Sequence, residues 1–264
     1  MTWFEALILG VIQGLTEFLP VSSSGHLEIG NVLLGVESKD HLLFTVFVHA
    51  ATALSTIVVF RKEIGQLLTE LIKFKWNESW VFTLKILISM IPVAVVGILF
   101  EDEVSILFAG NMLLVGAALI FTSLLLFFTY FKKHTSGDVT YSNALLIGLA
   151  QAVAILPGVS RSGSTIATAL LLGVDKVTAT RFSFLMVLIP ILGISMLKLK
   201  DYVEAPAAAG DISVMALVVG FVAAFVAGFA ACQWMISLVR KGKLTYFAAY
   251  CFIVGMIAIL STVI

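Results

Sequence analysis

Charge is what this chain has least of. Only 12% of its 264 residues are Asp, Glu, Lys or Arg, against about 25% in an ordinary soluble domain. Half the usual solvated surface is therefore missing, which argues against a soluble enzyme. With 20 Phe and 60% apolar residues, a disordered chain is excluded as well. Neither sign of charge is in surplus: 16 basic residues balance 16 acidic ones, so the basic footprint of a nucleic-acid binder is absent. Cysteine is down to Cys232 and Cys251, both inside apolar runs. Two such thiols build no disulfide framework and read as small packing residues. A paired-cysteine metal motif, a zinc-protease helix, a Walker loop and a dinucleotide fingerprint are all missing. So are the basic start and small-residue cleavage site of a removable signal peptide.

What is there is a polytopic membrane protein with a mean hydropathy of +1.10. Residues 42–60, 79–100, 104–131, 212–239 and 244–264 are apolar runs long enough to cross a bilayer, which takes about 20 residues. Residues 182–197 make a sixth span if Arg181 and Lys198 reach out to the two interfaces. Two regions do not fit this scheme. Residues 6–16 and 27–34 flank a break that reads Pro-Val-Ser-Ser-Ser-Gly-His, and residues 144–156 and 165–174 flank Pro-Gly-Val-Ser-Arg-Ser-Gly-Ser. Arms so short span only about 12–20 Å at 1.5 Å per residue. They read as two re-entrant helical hairpins, whose irregular backbone is tolerated in a membrane only where it lines a cavity or is buried in protein.

The two breaks are copies. Shifting the chain by 138 residues matches 12 of the 31 positions 6–36 without a gap, among them Gln13 with Gln151, Ser22-x-Ser24-Gly25 with Ser160-x-Ser162-Gly163, and Gly35-Val36 with Gly173-Val174. Apolar composition alone does not align Gln, Ser and Gly in one register. The expected architecture is all-α, one membrane domain over 1–264, with six transmembrane helices and two re-entrant hairpins in repeat halves of about 1–138 and 139–264. Three crossings per half invert the second half, a pattern that places binding sites between the halves.

Charge placement orients this topology. With loop 61–78 on one side, that side collects Arg61, Lys62, Lys73, Lys75, Lys132, Lys133, Lys176, Arg181, Arg240, Lys241 and Lys243, and the other only Lys39, Lys198 and Lys200. By the positive-inside rule the basic side is cytoplasmic, and the first hairpin opens outward.

The candidate chemistry lies in the breaks. Gln13 and Glu17 share a helix face at i, i+4. Ser22, Ser23, Ser24 and Gly25 open the following helix, where free amides and hydroxyls make an anion site, and His26 stands one turn on from Ser23. The second break offers Ser160, Arg161, Ser162, Gly163, Ser164 and Thr165, with the Arg161 fork suited to phosphate. Meeting near the midplane, the two loops make an anion pocket with its own acid–base groups, as phosphoryl transfer requires. Plainer readings compete: Ser and Gly can mark helix packing, Glu17 and Arg161 can form a structural ion pair, and His26 can be a satisfied core histidine. His49 can face the pocket or bond a backbone carbonyl. Lys85 reads as snorkelling, His41 and His134 as loop residues, and Arg181 as an interface anchor.

At Gln13-Gly-Leu-Thr-Glu-Phe-Leu-Pro-Val-Ser-Ser-Ser-Gly-His26 and Leu156-Pro-Gly-Val-Ser-Arg-Ser-Gly-Ser-Thr165 the sequence resembles the undecaprenyl-diphosphatase family of bacteria, known for bacitracin resistance. The resemblance extends over the whole chain in length and span pattern. It implies hydrolysis of undecaprenyl diphosphate to undecaprenyl phosphate and phosphate at the outer face of the inner membrane, which recycles the lipid carrier of cell-wall synthesis. It places the family's Ser and His on Ser23 and His26 and its Arg on Arg161. It also implies help from a divalent cation, Mg2+ or Ca2+, at Glu17. Many members have Glu where this chain has Gln13, and the amide supplies no anionic oxygen. The expected partners are the polyprenyl diphosphate, membrane lipid and a second copy of the chain, with no nucleic acid. The nucleophile is left open between Ser23, His26 and water. The rival class is a polyprenyl-phosphate flippase or other transporter, since broken helices in inverted halves are a transporter trait; a membrane scaffold would leave the repeated polar loops unexplained.

Overall fold

Proline and glycine punctuate the helices where the backbone demands it. The computed structural model describes residues 1–36, 41–100, 111–132, 136–204 and 212–262. In chain order the helices are α1 (Trp3–Phe18), α2 (Ser23–Leu34), α3 (His41–Val59), α4 (Arg61–Ile72), α5 (Glu78–Leu99), α6 (Met112–Phe128, extended by a 3-10 turn over Thr129–Phe131), α7 (Tyr141–Val153), α8 (Arg161–Leu171), α9 (Lys176–Met186), α10 (Leu188–Glu204), α11 (Val214–Arg240) and α12 (Thr245–Leu260). Among the described residues the only β pairing is one bridge between Gly137 and Val174. α1 starts on a capping box between Thr2 and Glu5. It stops ahead of Pro20, which holds Leu19 in an extended conformation (φ −70°, ψ 143°). α9 and α10 part at Val187 because Pro190 has no N–H to offer the Met186 carbonyl.

The duplicated stretch folds twice in the same way. Ser22 caps α2 by accepting from the Gly25 amide at 3.2 Å, and Ser160 caps α8 by accepting from the Gly163 amide at 3.0 Å. At the far end, Gly35 and Gly173 both turn left-handed (φ +67° and +89°). The next amides close back on the helix, Val36 onto Asn31 and Val174 onto Ala169, each at 3.0 Å. The repeated Leu-Leu-Gly-Val is thus a helix stop used twice.

The copies then exchange partners. α1 packs on α11 and α7 packs on α5, and the 138-residue shift turns one pair into the other. Small residues set the approach. A Cβ at Gly10 would lie 2.4 Å from the Gly220 carbonyl oxygen, one at Gly14 2.6 Å from that of Ala224, and one at Gly148 2.3 Å from that of Ser89. Backbones this close exclude any side chain, the packing expected of helices held together in lipid. α6 and α12 cross at Gly116 and Gly255 in the same manner.

Among the described residues, four helices are long and apolar enough to cross a membrane: Glu78–Leu99, Met112–Phe131, Lys176–Leu197 and Val214–Arg240. α3 and α4, bent by 78°, make a fifth if taken as one broken crossing. The last expected span, 244–264, is described as a helix of only 16 residues ending at Leu260. The start of the expected span 104–131 and His134 lie outside the described residues. Two expectations change. The loop at 61–78 contains α4, which buries none of its residues and shows Leu68 and Ile72 to the outside, as a helix lying in the interface does. His41 opens α3 instead of sitting in a loop.

Candidate active site

The two elbows touch. Ser162 Oγ donates to the Leu19 carbonyl at 3.1 Å, the Gly158 amide donates to Ser24 Oγ at 3.4 Å, and a Cβ on Gly25 would meet Gly158 Cα at 3.1 Å. Joining them brings α1, α2 and α8 to one buried carboxylate, Glu17, whose side chain is 8% exposed.

Both oxygens of Glu17 are engaged. Oε2 accepts from Ser23 Oγ at 2.7 Å and from Gln13 Nε2 at 2.9 Å, and Oε1 faces Arg161 Nη1 at 3.5 Å. His49 Nε2 stands 3.6 Å from Oε2 while its Nδ1 donates to the Thr45 carbonyl at 2.8 Å, so His49 does both things open to it. A carboxylate removed from water needs such pairing. Arg161 remains 30% exposed, towards a cleft walled by Phe18, Thr52, Thr56 and Ser183.

All but one of the remaining elbow hydroxyls are committed to the protein itself. Ser22 and Ser160 are caps and lie 3.3 Å from Ser24 and Ser162, respectively. Thr165 Oγ1 bonds the Arg161 carbonyl at 2.8 Å and Ser183 Oγ at 2.5 Å. Ser164 Oγ is buried with no partner among the described residues. What is left to meet an anion is the Arg161 fork, the Ser23 hydroxyl and the first-turn amides of α2 and α8, which have no intrahelical acceptor.

His26 stands apart from this cluster. Its Nδ1 lies 2.8 Å from the Ser22 carbonyl, which can only accept, so Nδ1 carries the proton; Nε2 then receives the Tyr250 hydroxyl at 2.8 Å. The rings lie nearly parallel, 5.6 Å apart. Tyr250 was not legible in the sequence, because it sits in α12 within an apolar run with no polar neighbour to mark it. Cys251, next to it, is buried with its thiol 3.5 Å from the Pro20 carbonyl, a packing role. Lys85 does not snorkel freely: it is 12% exposed and reaches Asp138 at 3.5 Å.

The elbows carry unequal chemistry on helices capped by the same serine-to-glycine bond. Under the 138-residue shift Glu17 corresponds to Ile155 and His26 to Ser164, so the acid–base groups belong to the first copy. Backbone strain does too: Ser22 takes φ +70° where Ser160 sits at −73°, a conformation that side chains rarely adopt and that clusters at functional sites.

The residues present do not fit a protein-built divalent cation site. A cage built by protein alone would need about six oxygen ligands, carboxylates among them, whereas Mg2+ is usually held by one or two carboxylates together with water and substrate phosphates. Both Glu17 oxygens are already taken, and the side chains that accompany them are neutral: the Ser23 hydroxyl, which donates to Oε2, and Gln13, whose Oε1 is buried with no partner among the described residues. Among the described residues no three His, Cys, Asp or Glu side chains gather as ligands.

The family described as Bacitracin resistance protein BacA matches residues 6–257 of this chain. The chain is also similar to proteins named undecaprenyl-diphosphatase. It is 55% identical over 262 residues to that of Christiangramia forsetii and 54% identical over 260 residues to that of Bacteroides fragilis, covering 98% of both chains in each case. It is 37% identical over 281 residues to that of Methanobrevibacter smithii, covering 100% of this chain and 99% of the relative. A match of this extent settles the lineage: the chain belongs to the bacitracin resistance protein BacA family.

Proposed function

We propose that this protein is a membrane phosphatase that hydrolyses undecaprenyl diphosphate to undecaprenyl phosphate and inorganic phosphate. It thereby recycles the lipid carrier of peptidoglycan synthesis and confers resistance to bacitracin. The relatives' shared name and the family match support the reaction. The observation that carries the mechanism is the 2.7 Å hydrogen bond from Ser23 Oγ to Glu17 Oε2, with Arg161 on the opposite oxygen.

In this reading Arg161 and the free amides of α2 hold the terminal phosphoryl group and take up the charge that develops on it. Ser23 Oγ attacks the terminal phosphorus and its proton passes to Glu17. The bond between phosphorus and the bridging oxygen breaks, and the lipid monophosphate departs. That leaving group needs little acid help, because a phosphate monoester's second pKa is about 6. The departing phosphate carries off the proton held by Glu17. Glu17 then takes a proton from water attacking the phosphoserine and passes it to Ser23 Oγ as the bond between phosphorus and Oγ breaks, so that inorganic phosphate is released and both side chains return to their starting state. His26 is the less favoured nucleophile, since its Nε2 is occupied by Tyr250. A Mg2+ or Ca2+ requirement would reside on the diphosphate's own oxygens, in line with the poor protein donor set.

We further infer six crossings, two re-entrant hairpins and inverted halves of about 1–138 and 139–264. The reciprocal packing of α1 on α11 and α7 on α5 supports the halves. The charge asymmetry supports a pocket open to the outer face of the inner membrane.

The test is phosphate release by purified protein in detergent from undecaprenyl diphosphate and from a short soluble diphosphate. Turnover without a gradient or second compartment is expected. Tight binding without release would assign the pocket to transport.

A further inference from the structure

A second cavity, of about 350 Å³, opens where α4, α9 and the end of α11 meet, within the size range of small-ligand pockets. Arg61 and Lys62 enter it from the first turn of α4, Arg181 from α9 and Arg240 from the last turn of α11. Among the described residues Glu63 is the single carboxylate on its wall and Thr180 the single hydroxyl. Four cations against one carboxylate leave a strong positive excess. All four belong to the side of the chain richest in Lys and Arg. The positive-inside rule accounts for that side being basic, but not for four of its charges converging on one concavity from three separate helices.

The cations are poised unequally. Arg181 is fixed: its guanidinium lies 4.6 Å over the Phe82 ring and its Nε is 3.2 Å from Glu63 Oε1. That leaves the two terminal nitrogens of its fork for a ligand. Arg61 donates to the Val58 carbonyl at 2.9 Å. Lys62 and Arg240 have no hydrogen bond or ion pair among the described residues. α4 begins here without a side-chain cap, so its first-turn amides and positive dipole end add to the field. Val177 and Ile236 supply apolar wall beside the charges.

This cavity is separate from the cleft at Glu17. No residue lines both. Phe18 and Phe184 border the cleft, Phe60 borders the basic cavity, and the three rings pack edge to face in a row between them, at 5.5 and 6.2 Å.

We propose that the basic cavity is a binding site for a phosphate-bearing anion, either the headgroup of an anionic phospholipid or free inorganic phosphate. Arg forks and unpaired Lys are the groups that bind such oxygens, and basic pockets between membrane helices take lipid headgroups.

The test is calorimetric titration of the full-length protein in detergent with dioctanoyl phosphatidylglycerol, dioctanoyl phosphatidylcholine and inorganic phosphate. It is repeated on Arg161→Gln, which impairs the Glu17 cleft. Saturable binding that survives Arg161→Gln and weakens about tenfold or more in Lys62→Gln/Arg240→Gln is expected. Phosphatidylglycerol alone binding in this way identifies a lipid headgroup, and inorganic phosphate binding identifies a soluble anion. Arg181→Gln is expected to weaken binding further. Because Arg181 packs on Phe82 and that variant can misfold, the exposed pair Lys62 and Arg240 carries the decision. Binding no tighter than that of phosphatidylcholine, or binding unchanged in the Lys62/Arg240 variant, overturns the proposal.

Discussion

Ser23 and Arg161 occupy the same step of the duplicated elbow, each the first residue of its helix, and both reach the carboxylate of Glu17, at 2.7 and 3.5 Å. The two helix starts match in sequence register, and one carries a hydroxyl where the other carries a guanidinium. A single buried carboxylate thus sits between the Ser23 hydroxyl and the Arg161 guanidinium, the proposed nucleophile and phosphate clamp.

Glu17→Gln keeps the size and hydrogen-bonding reach of the side chain and removes its basicity. Turnover should fall by about 10²- to 10⁴-fold, the usual worth of a positioned base, with helical circular dichroism and monodisperse gel filtration unchanged. Phosphate release at near wild-type rate would take Glu17 out of the chemistry.

Arg161→Lys exchanges a planar fork for a point charge. The expected loss in kcat is about 10²-fold or more, comparable to deleting one donor to a developing oxyanion. Initial rates against substrate concentration separate this from weakened binding, which would raise KM and leave kcat alone.

Ser23→Ala should abolish a phosphoenzyme trapped with terminally labelled diphosphate, and the wild-type adduct should be stable in acid and labile in base. An acid-labile adduct would move the nucleophile to His26.

Tyr250→Phe removes one hydroxyl from His26 Nε2. A net hydrogen bond of about 1 kcal/mol corresponds to roughly a fivefold change in rate. A collapse as deep as that of Glu17→Gln would give His26 the central role.

Gly10→Ala should destabilise the fold by about 1–3 kcal/mol, the usual cost of overpacking, because its Cβ would lie 2.4 Å from the Gly220 carbonyl oxygen. Gly65→Ala is the control: it meets nothing within 4 Å and should be neutral or stabilising, by up to about 1 kcal/mol. Thermal unfolding in detergent reads both, and equal midpoints would mean that the α1–α11 contact gives way at no cost.

Much of this was legible beforehand because its causes are local. Residues 6–16 and 144–156 are too short to cross a bilayer whatever surrounds them. Pro20 stops a helix in any context, and Ser-x-Ser-Gly caps the next one. Polar groups therefore read as gathered at two elbows, and the structure brings those two segments into contact. Their division of labour was not legible, since a hydroxyl in a cap looks the same in sequence as one facing a ligand. Ser22 and Ser160 proved to be caps, whereas Ser23, between two capping serines, reaches the carboxylate. Arg181 read as an interface anchor for the same reason: Glu63, Phe82 and Arg240 come to it from distant parts of the chain.

Composition and spacing by themselves determined a membrane-embedded helical chain and two matching polar breaks between its helices. These follow from hydrocarbon thickness, backbone hydrogen bonding and the cost of charge in lipid, all of which act over a few residues. Only the tertiary structure decided which charges meet. Ser162 bonds to Leu19, Tyr250 to His26 and Arg161 to Glu17 through exchanged helix pairs whose glycines let the backbones touch. Contacts between positions more than a hundred residues apart depend on how those helices cross, which no local periodicity encodes.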